Sequence, residues 1–335
     1  MKVNRKDLLN ALTAVKPGLA QKDIIEQMTH FIFTGNNIVA YNDRTCVYCP
    51  FETDFECSVS SADFYKIISK ISAEEIDLSL KGSNLVIKSK RTTAKMSILI
   101  EDEITEMLKS LEKETGVTMK KVPQDFLEGI FLCMFSASKE QTKGTLVCIN
   151  ITGSTLISSD NVRASMYEMD SKMDDFKLPA YSVPSLNDLA VTKYGLSDNW
   201  LHFMNKDGIR ISVRQLIGDF PDYVRMLKVE GPKVRLPKEL KDTLETVSIM
   251  SPGEIVTDKM VDIEIMNDLI TCRTKKDRGS IERTIDIKYK KDPVRFKTNP
   301  VLLSQVLDSA TRMTIGKGAL LFESKKFKHV LATIA

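Results

Sequence analysis

The sequence predicts an α+β chain built from three copies of one unit, each about two helices packed on antiparallel sheets. A helix followed by a hairpin opens a new stretch roughly every 115 residues. A second helix followed by alternating strands completes each stretch, so the repeat has two matching halves. The strands are joined by short turns rich in Gly and Asn, which suit antiparallel neighbours and are too short for crossovers. With 335 residues, 42% of them hydrophobic, the chain is long enough for two to three domains and a substantial core.

In the first unit, VNRKDLLNALTAV places Leu8, Leu12 and Val15 at helical spacing, and FIFTGNNIVAYND forms a hairpin around GNN. SSADFYKIISKI is the second helix, with Ser60 or Ser61 available as its cap, and three alternating strands follow through SIL. EDEITEMLKSLEKETG, residues 101–116, is charged and reads as a linker with helical character. The second unit repeats the order. VPQDFLEGIFLCMF carries Pro123 near a helix start, and TLVCINITGSTLISSD turns at Thr152 and Gly153. PSLNDLAVTKY and NWLHFMNKDGIRISVRQL then supply a helix and strands around Lys206 to Gly208. In the third, Pro237 precedes the helix of LPKELKDTLETV, and VDIEIMNDLITCRT turns at Asn267 and Asp268. NPVLLSQVLDSA and the strands of RMTIGKGALLFESKKFKHVLATI, with Gly316 and Gly318 at a turn, close it. Gly and Pro in KVEGPK mark the last boundary, so the units span 1–116, 117–231 and 232–335.

Composition excludes several classes of function. The 48 Lys and Arg against 45 Asp and Glu leave a net charge of +3, too little for nucleic-acid binding through bulk charge. The third unit holds the excess, with 20 basic and 14 acidic residues against 15 and 17 in the first and 13 and 14 in the second. No apolar run approaches the roughly 18 residues of a spanning helix, and the first residues lack a signal-peptide pattern, so a soluble, cytoplasmic protein with no membrane partner is expected.

Six cysteines in a chain of this length imply free thiols. Cys46 and Cys49 form a CxxC inside a strand, where that spacing points them to opposite faces. His30, His202 and His329 lack the spacing of a metal site. Neither metal nor cofactor is expected.

Catalytic motifs are missing as well. No GxSxG or HExxH occurs, and TIGKGALL lies between strands instead of opening a helix as a phosphate loop must. Glu168, Asp170, Asp174 and Asp175 lack the ligand spacing of a calcium loop and read as a solvated segment. A threefold repeat suits a symmetric surface better than one asymmetric pocket, so no catalytic residue is nominated.

Two segments carry a family resemblance. SSDNVRASMYEM resembles the TDGHRL-type segment in the middle domain of bacterial β sliding clamps, the DNA polymerase III β subunit family, and GDFPDYVRML resembles the GxFPDY segment that closes that domain. Asn161, Val162 and Ala164 stand where that family usually has Gly, His and Leu, and the final HVLATIA lacks its usual Pro-Met-Arg character. The chain is similar to a divergent member, of a kind a bacteriophage could encode. The resemblance implies a non-enzymatic processivity factor: a head-to-tail homodimer closing as a six-domain ring around duplex DNA, without sequence preference, and binding a replicative polymerase and a clamp loader.

It also implies sites. Leu146, Ser159, Val162, Arg163, Ala164, Pro221, Arg225, Met226, Val330, Ala332 and Ile334 map to a peptide groove. Lys22, Lys66, Lys70, Lys139, Lys143, Lys193 and Lys259, in or beside predicted helices, are candidates to face DNA. An edge strand with Ala94, Met96 and Ile98 would pair with a second chain near Ile249 and Met250. The alternatives are a nucleic-acid-binding accessory protein that forms no ring and, remotely, a hydrolase with dispersed active-site residues.

Overall fold

The structure is a computed structural model that describes residues 1–20, 26–99, 102–251 and 258–334. The chain begins with β1 (Lys2–Asn4), α1 (Arg5–Val15), β2 (His30–Thr34), β3 (Asn37–Tyr41), β4 (Thr45–Pro50) and β5 (Glu56–Ser60). It continues through α2 (Ser61–Lys70), β6 (Glu75–Lys81), β7 (Asn84–Lys88), β8 (Thr93–Leu99), α3 (Asp102–Glu114) and β9 (Lys120–Lys121). The middle stretch supplies α4 (Phe126–Met134), β10 (Cys148–Thr152), β11 (Thr155–Ser159), β12 (Arg163–Glu168) and β13 (Phe176–Pro179). After these come α5 (Val183–Asp188), β14 (Lys193–Leu196), β15 (Trp200–Met204) and β16 (Arg210–Arg214). The last stretch opens with β17 (Lys233–Arg235), α6 (Leu240–Ser248), β18 (Val261–Met266), β19 (Leu269–Lys276), β20 (Gly279–Asp286) and β21 (Val294–Thr298). It ends with α7 (Pro300–Leu307), β22 (Arg312–Gly316), β23 (Ala319–Glu323) and β24 (Phe327–Ala332).

These elements form two compact units, Met1–Val122 with Tyr181–Gln215, and Pro123–Ala180 with Leu216–Ala335. In the first, twelve strands run in the order β1-β6-β7-β8-β5-β2-β3-β4-β16-β15-β14-β9. The second holds an eight-stranded sheet, β13-β10-β11-β12-β24-β23-β22-β17, and a four-stranded one, β20-β19-β18-β21. The stretch 117–231 expected as one unit is therefore divided between these two, with β10–β13 in the second and β14–β16 in the first. Every strand pair is antiparallel, for example β4 with β16 and β12 with β24.

Local chemistry explains the elements. The Asn4 side chain caps α1 by accepting from the N–H groups of Lys6 and Asp7, and Leu8, Ala11, Leu12 and Val15 form its buried face. Asn299 caps α7 in the same way ahead of Pro300. Ser60 precedes α2 as expected, but its side chain makes no cap bond. Asn267 and Asp268 both have positive φ, 53° and 60°, as the two-residue turn between β18 and β19 requires. Gly231 in the KVEGPK boundary runs so close to β22 that a Cβ would lie 2.0 Å from the Ile315 carbonyl oxygen.

Two expectations change. Residues 102–114 are a helix packed into the first unit, with Leu108 and Leu111 buried beside Tyr41, Tyr48 and Trp200. Burying each leucine is worth about 1.5–3 kcal/mol, which a solvated linker would forgo. The strand with Ala94, Met96 and Ile98 is an edge only in part, because Ile98 and Leu99 pair with Val59 and Ser58 of β5. Chain reversal into α2 ends that pairing, so among the described residues Thr93 to Ser97 have β7 alone as a strand partner. Met96 is buried within its own unit, and Ile100 lies outside the described residues. No described helix is long and apolar enough to cross a membrane.

Candidate functional site

In the second unit, the two family-like segments meet. The hairpin between β11 and β12 is held by Asp160, whose Oδ1 accepts the N–H groups of Val162 and Arg163 at 3.1 and 3.0 Å. Ser159 Oγ donates to the Arg163 carbonyl at 2.7 Å. Asn161, at the tip, adopts φ 74°, and its Oδ1 accepts a hydrogen bond from the Tyr223 hydroxyl. Tyr223 begins the single-turn segment Val224–Leu227, whose first N–H bonds to Asp222 Oδ1 at 3.0 Å. β24 runs beside β12, pairing Val330 with Ala164, and Ala332 N–H donates to the Val162 carbonyl at 2.9 Å. Ile334 exchanges two backbone bonds with Lys297.

The eleven proposed groove residues separate into two layers. Leu146, Ala164 and Val330 belong to one buried cluster with Ile157, Tyr223, Leu227 and Leu321. They form a floor and expose too little to make the outer contact surface expected of them. Ser159 and Arg163 are buried as well. Arg163 donates Nε to Asp160 at 3.0 Å and Nη1 to Gln305, and its guanidinium lies 5.5 Å from the Phe135 ring centre. Burial lowers its pKa and the Asp160 charge opposes that, so this arginine braces the hairpin and does not reach outward. The outer layer consists of Val162, 48% exposed, Met226, 37% exposed, and exposed Pro221, Arg225, Ala332 and Ile334. Val224 and Ile217, which sequence reasoning passed over, are exposed apolar residues of the same segment. Their flanking position beside FPDY was the only available signal.

Lysines are distributed between the units. Lys66 and Lys70 are exposed on α2, whereas Lys193 lies on strand β14. In the second unit Lys139 is exposed after α4, and Lys143 sits in the turn before β10, 3.7 Å from Glu140. Lys259 is half-buried ahead of β18, and Lys22 lies outside the described residues. Four other basic residues of the first unit meet aromatic rings: Lys16 Nζ lies 3.3 Å from the Tyr65 ring centre and Arg44 lies 5.7 Å from that of Tyr181, while Arg210 and Arg214 lie 4.5 and 4.9 Å from those of Tyr48 and Trp200.

Near the expected pairing region, Ile249 is 72% exposed and Met250 half-buried, both just beyond α6 and neither on a strand. Among the described residues the edge strands of that four-stranded sheet are β20, which pairs with β19 alone, and β21, which pairs with β18 and meets Ile334 in a single bridge at Lys297.

The acidic segment is structural. Glu168 accepts from Ser154 and Thr155, Asp175 accepts the Gly153 N–H, and Asp170 pairs with Lys326. All six cysteines are free thiols and buried, and no group of three metal-ligating side chains occurs among the described residues. His329, near Ser136 and Ser165, and His202, near Ser197 and Ser212, are fully buried and out of reach of a substrate.

No protein-family model and no curated protein matches the chain. Solved structures do. The DNA polymerase III subunit beta of Pseudomonas aeruginosa superposes with a TM-score of 0.85 at 16% identity, covering 100% of this chain and 99% of that one. The corresponding Thermotoga maritima protein gives 0.81 at 18%, covering 100% and 98%. The sliding clamp of Bartonella birtlesii, bound to griselimycin, gives 0.88 at 17%, covering 100% and 99%. The chain therefore has the α+β fold of these clamps.

Proposed function

We propose that this chain is a sliding clamp, a non-enzymatic factor that keeps a replicative DNA polymerase on duplex DNA. In this reading the divisions 1–116, 117–231 and 232–335 are three clamp domains. Two copies join head to tail into a six-domain ring, and the protein works in the cytoplasm. The observation that carries the proposal is the fold likeness along the entire chain, at 0.81 to 0.88 across three bacterial clamps. Open strand edges support ring closure, since β8 at Thr93–Ser97 and β20 are each available to a second copy.

Charge is compatible with this role. A clamp holds DNA by topology, so a net charge of +3 spares it the tight phosphate contacts that would slow sliding. The exposed layer around Val162 and Met226 suits a short peptide with hydrophobic anchors, presented by the polymerase and by the loader.

Light scattering at micromolar concentration should give twice 37.7 kDa. Once loaded on closed circular DNA, the protein should stay bound in moderate salt and escape after linearisation. A persistent monomer, or equal loss from circular and linear DNA, would reject the ring.

A further inference from the structure

A shallow, open cleft of about 900 Å³ lies on the first unit between the end of α1, the turn before β4 and the start of α2. Lys16, Arg44 and Lys66 line it, and among the described residues none of its lining is an Asp or Glu. In a chain with nearly balanced charge this is a local excess. These three cations form no ion pair among the described residues. Asp43, the nearest carboxylate in sequence to Arg44, accepts from the Tyr41 hydroxyl at 3.4 Å.

Two aromatic rings complete the cleft. Lys16 lies over Tyr65, whose hydroxyl is 3.3 Å from Thr13 Oγ1, and Arg44 lies beside Tyr181, whose hydroxyl donates to the Arg44 carbonyl at 3.2 Å. Asn42 stiffens the wall: its amide donates to the Pro17 and Leu19 carbonyls, and its Oδ1 accepts the Thr45 N–H at 2.9 Å. Cations and flat rings are thus held ready on a firm support.

We propose that this cleft binds single-stranded nucleic acid, with phosphates against Lys16, Arg44 and Lys66 and an unpaired base against Tyr65 or Tyr181. Lysine and arginine alone would serve a duplex, whose bases are stacked inside and offer no face to a side cleft. Tyrosine rings matter only when a base is free to stack. The open, shallow shape encloses too little of a mononucleotide to hold it by itself. The proposal takes its setting, replicating DNA, from the clamp reading, yet free oligonucleotide binding requires no ring. Failure here leaves the ring assays untouched, and their failure leaves this binding testable.

The test is fluorescence anisotropy with the full chain, using a thymidine oligonucleotide of about twelve nucleotides and the duplex it forms with its complement. Arg44→Ala and Lys16→Ala should weaken the single strand and steepen its loss with salt less than wild type does. Tyr181→Ala should weaken the single strand at least about fivefold and leave the duplex unchanged. Thymidine monophosphate should not compete at equal nucleotide concentration. An oligonucleotide carrying 5-iodouracil should crosslink to Tyr65 or Tyr181, a readout independent of variant folding. Wild-type affinity in Tyr181→Ala with crosslinks confined to other residues, an equal tyrosine effect on single strand and duplex, or full competition by the mononucleotide would each overturn the proposal.

Discussion

The Tyr223 hydroxyl donates a hydrogen bond to Oδ1 of Asn161, and this bond joins the two segments that resemble the clamp family. Asn161 holds φ 74° at a position where that family usually carries glycine. Asparagine tolerates the left-handed region better than most residues, and here its side chain adds a bond that glycine lacks. Asn161→Gly should lower stability by about 0.5–1.5 kcal/mol through the lost bond alone. Asn161→Ala adds backbone strain of about 1 kcal/mol and should be worse. Urea unfolding midpoints would rank the two, and an alanine variant as stable as the glycine one would show that the turn relaxes.

Acid should destabilise the protein through two buried histidines. His202 on β15 lies 2.8 Å from Ser212 and 3.1 Å from Ser197, and His329 on β24 lies 2.9 Å from Ser165. Burial lowers the pKa of His202 to about 4 and that of His329 to about 3, with nearby Arg210 and Arg163 adding to the effect. The folded state thus keeps both neutral, whereas the unfolded chain protonates near pH 6.5. Stability is present above pH 6.5 and is lost as pH falls from there toward 4 and 3. The loss should be on the order of 2–3 kcal/mol per histidine by pH 4. Urea titrations from pH 7 to 4.5 would show it, and a His202→Gln variant should have a shallower slope. Unchanged midpoints across that range would mean that both rings protonate in the folded state.

These histidines show where a sequence becomes unreadable. Each of the three sits across a strand pair from a serine, His30 from Ser60, His202 from Ser212 and His329 from Ser165. The register that aligns them is a property of the sheet and spans up to 164 residues of chain. Turns are local and were legible, as at Asn267–Asp268 and at Gly153 and Gly318, where the chemistry of positive φ is written in the residue itself. The apolar stripe of α3 stands in the sequence as Ile104, Met107, Leu108 and Leu111 at i, i+3, i+4 and i+7, but the surrounding charges read as a linker, and what Leu108 and Leu111 pack against, Tyr41, Tyr48 and Trp200, is set by strands distant along the chain. The family-like motifs nominate the groove residues, but which of them face outward depends on the packing of β12 against β24.

α3 offers a direct test of that correction. Trp200, the only tryptophan, packs in the same cluster as Leu108 and Leu111, with Arg214 4.9 Å from its ring. Its emission should be that of a buried indole in the native state. Leu111→Ala should cost about 2–4 kcal/mol and bring the unfolding of Trp200 to lower urea. A change below about 0.5 kcal/mol would return residues 102–114 to the status of a surface linker.

The two layers of the groove predict opposite phenotypes. Met226 is exposed and makes part of the outer layer, so Met226→Asp should leave the unfolding midpoint within about 0.5 kcal/mol of wild type. It should nevertheless abolish binding of a peptide with a leading Gln and paired hydrophobic end, for which wild type is expected to show micromolar affinity, about 7 to 8 kcal/mol. Leu146 belongs to the buried cluster beneath, and Leu146→Ala should cost about 2–4 kcal/mol of stability. Calorimetric titration with the peptide and urea unfolding on the same preparations separate the two effects. Ile334→Asp provides a second exposed probe, since its backbone bonds to Lys297 do not depend on the side chain. If the Met226 and Ile334 variants both bind as wild type does, the peptide uses another face, because an aspartate in an apolar contact would leave a charge desolvated and unpaired.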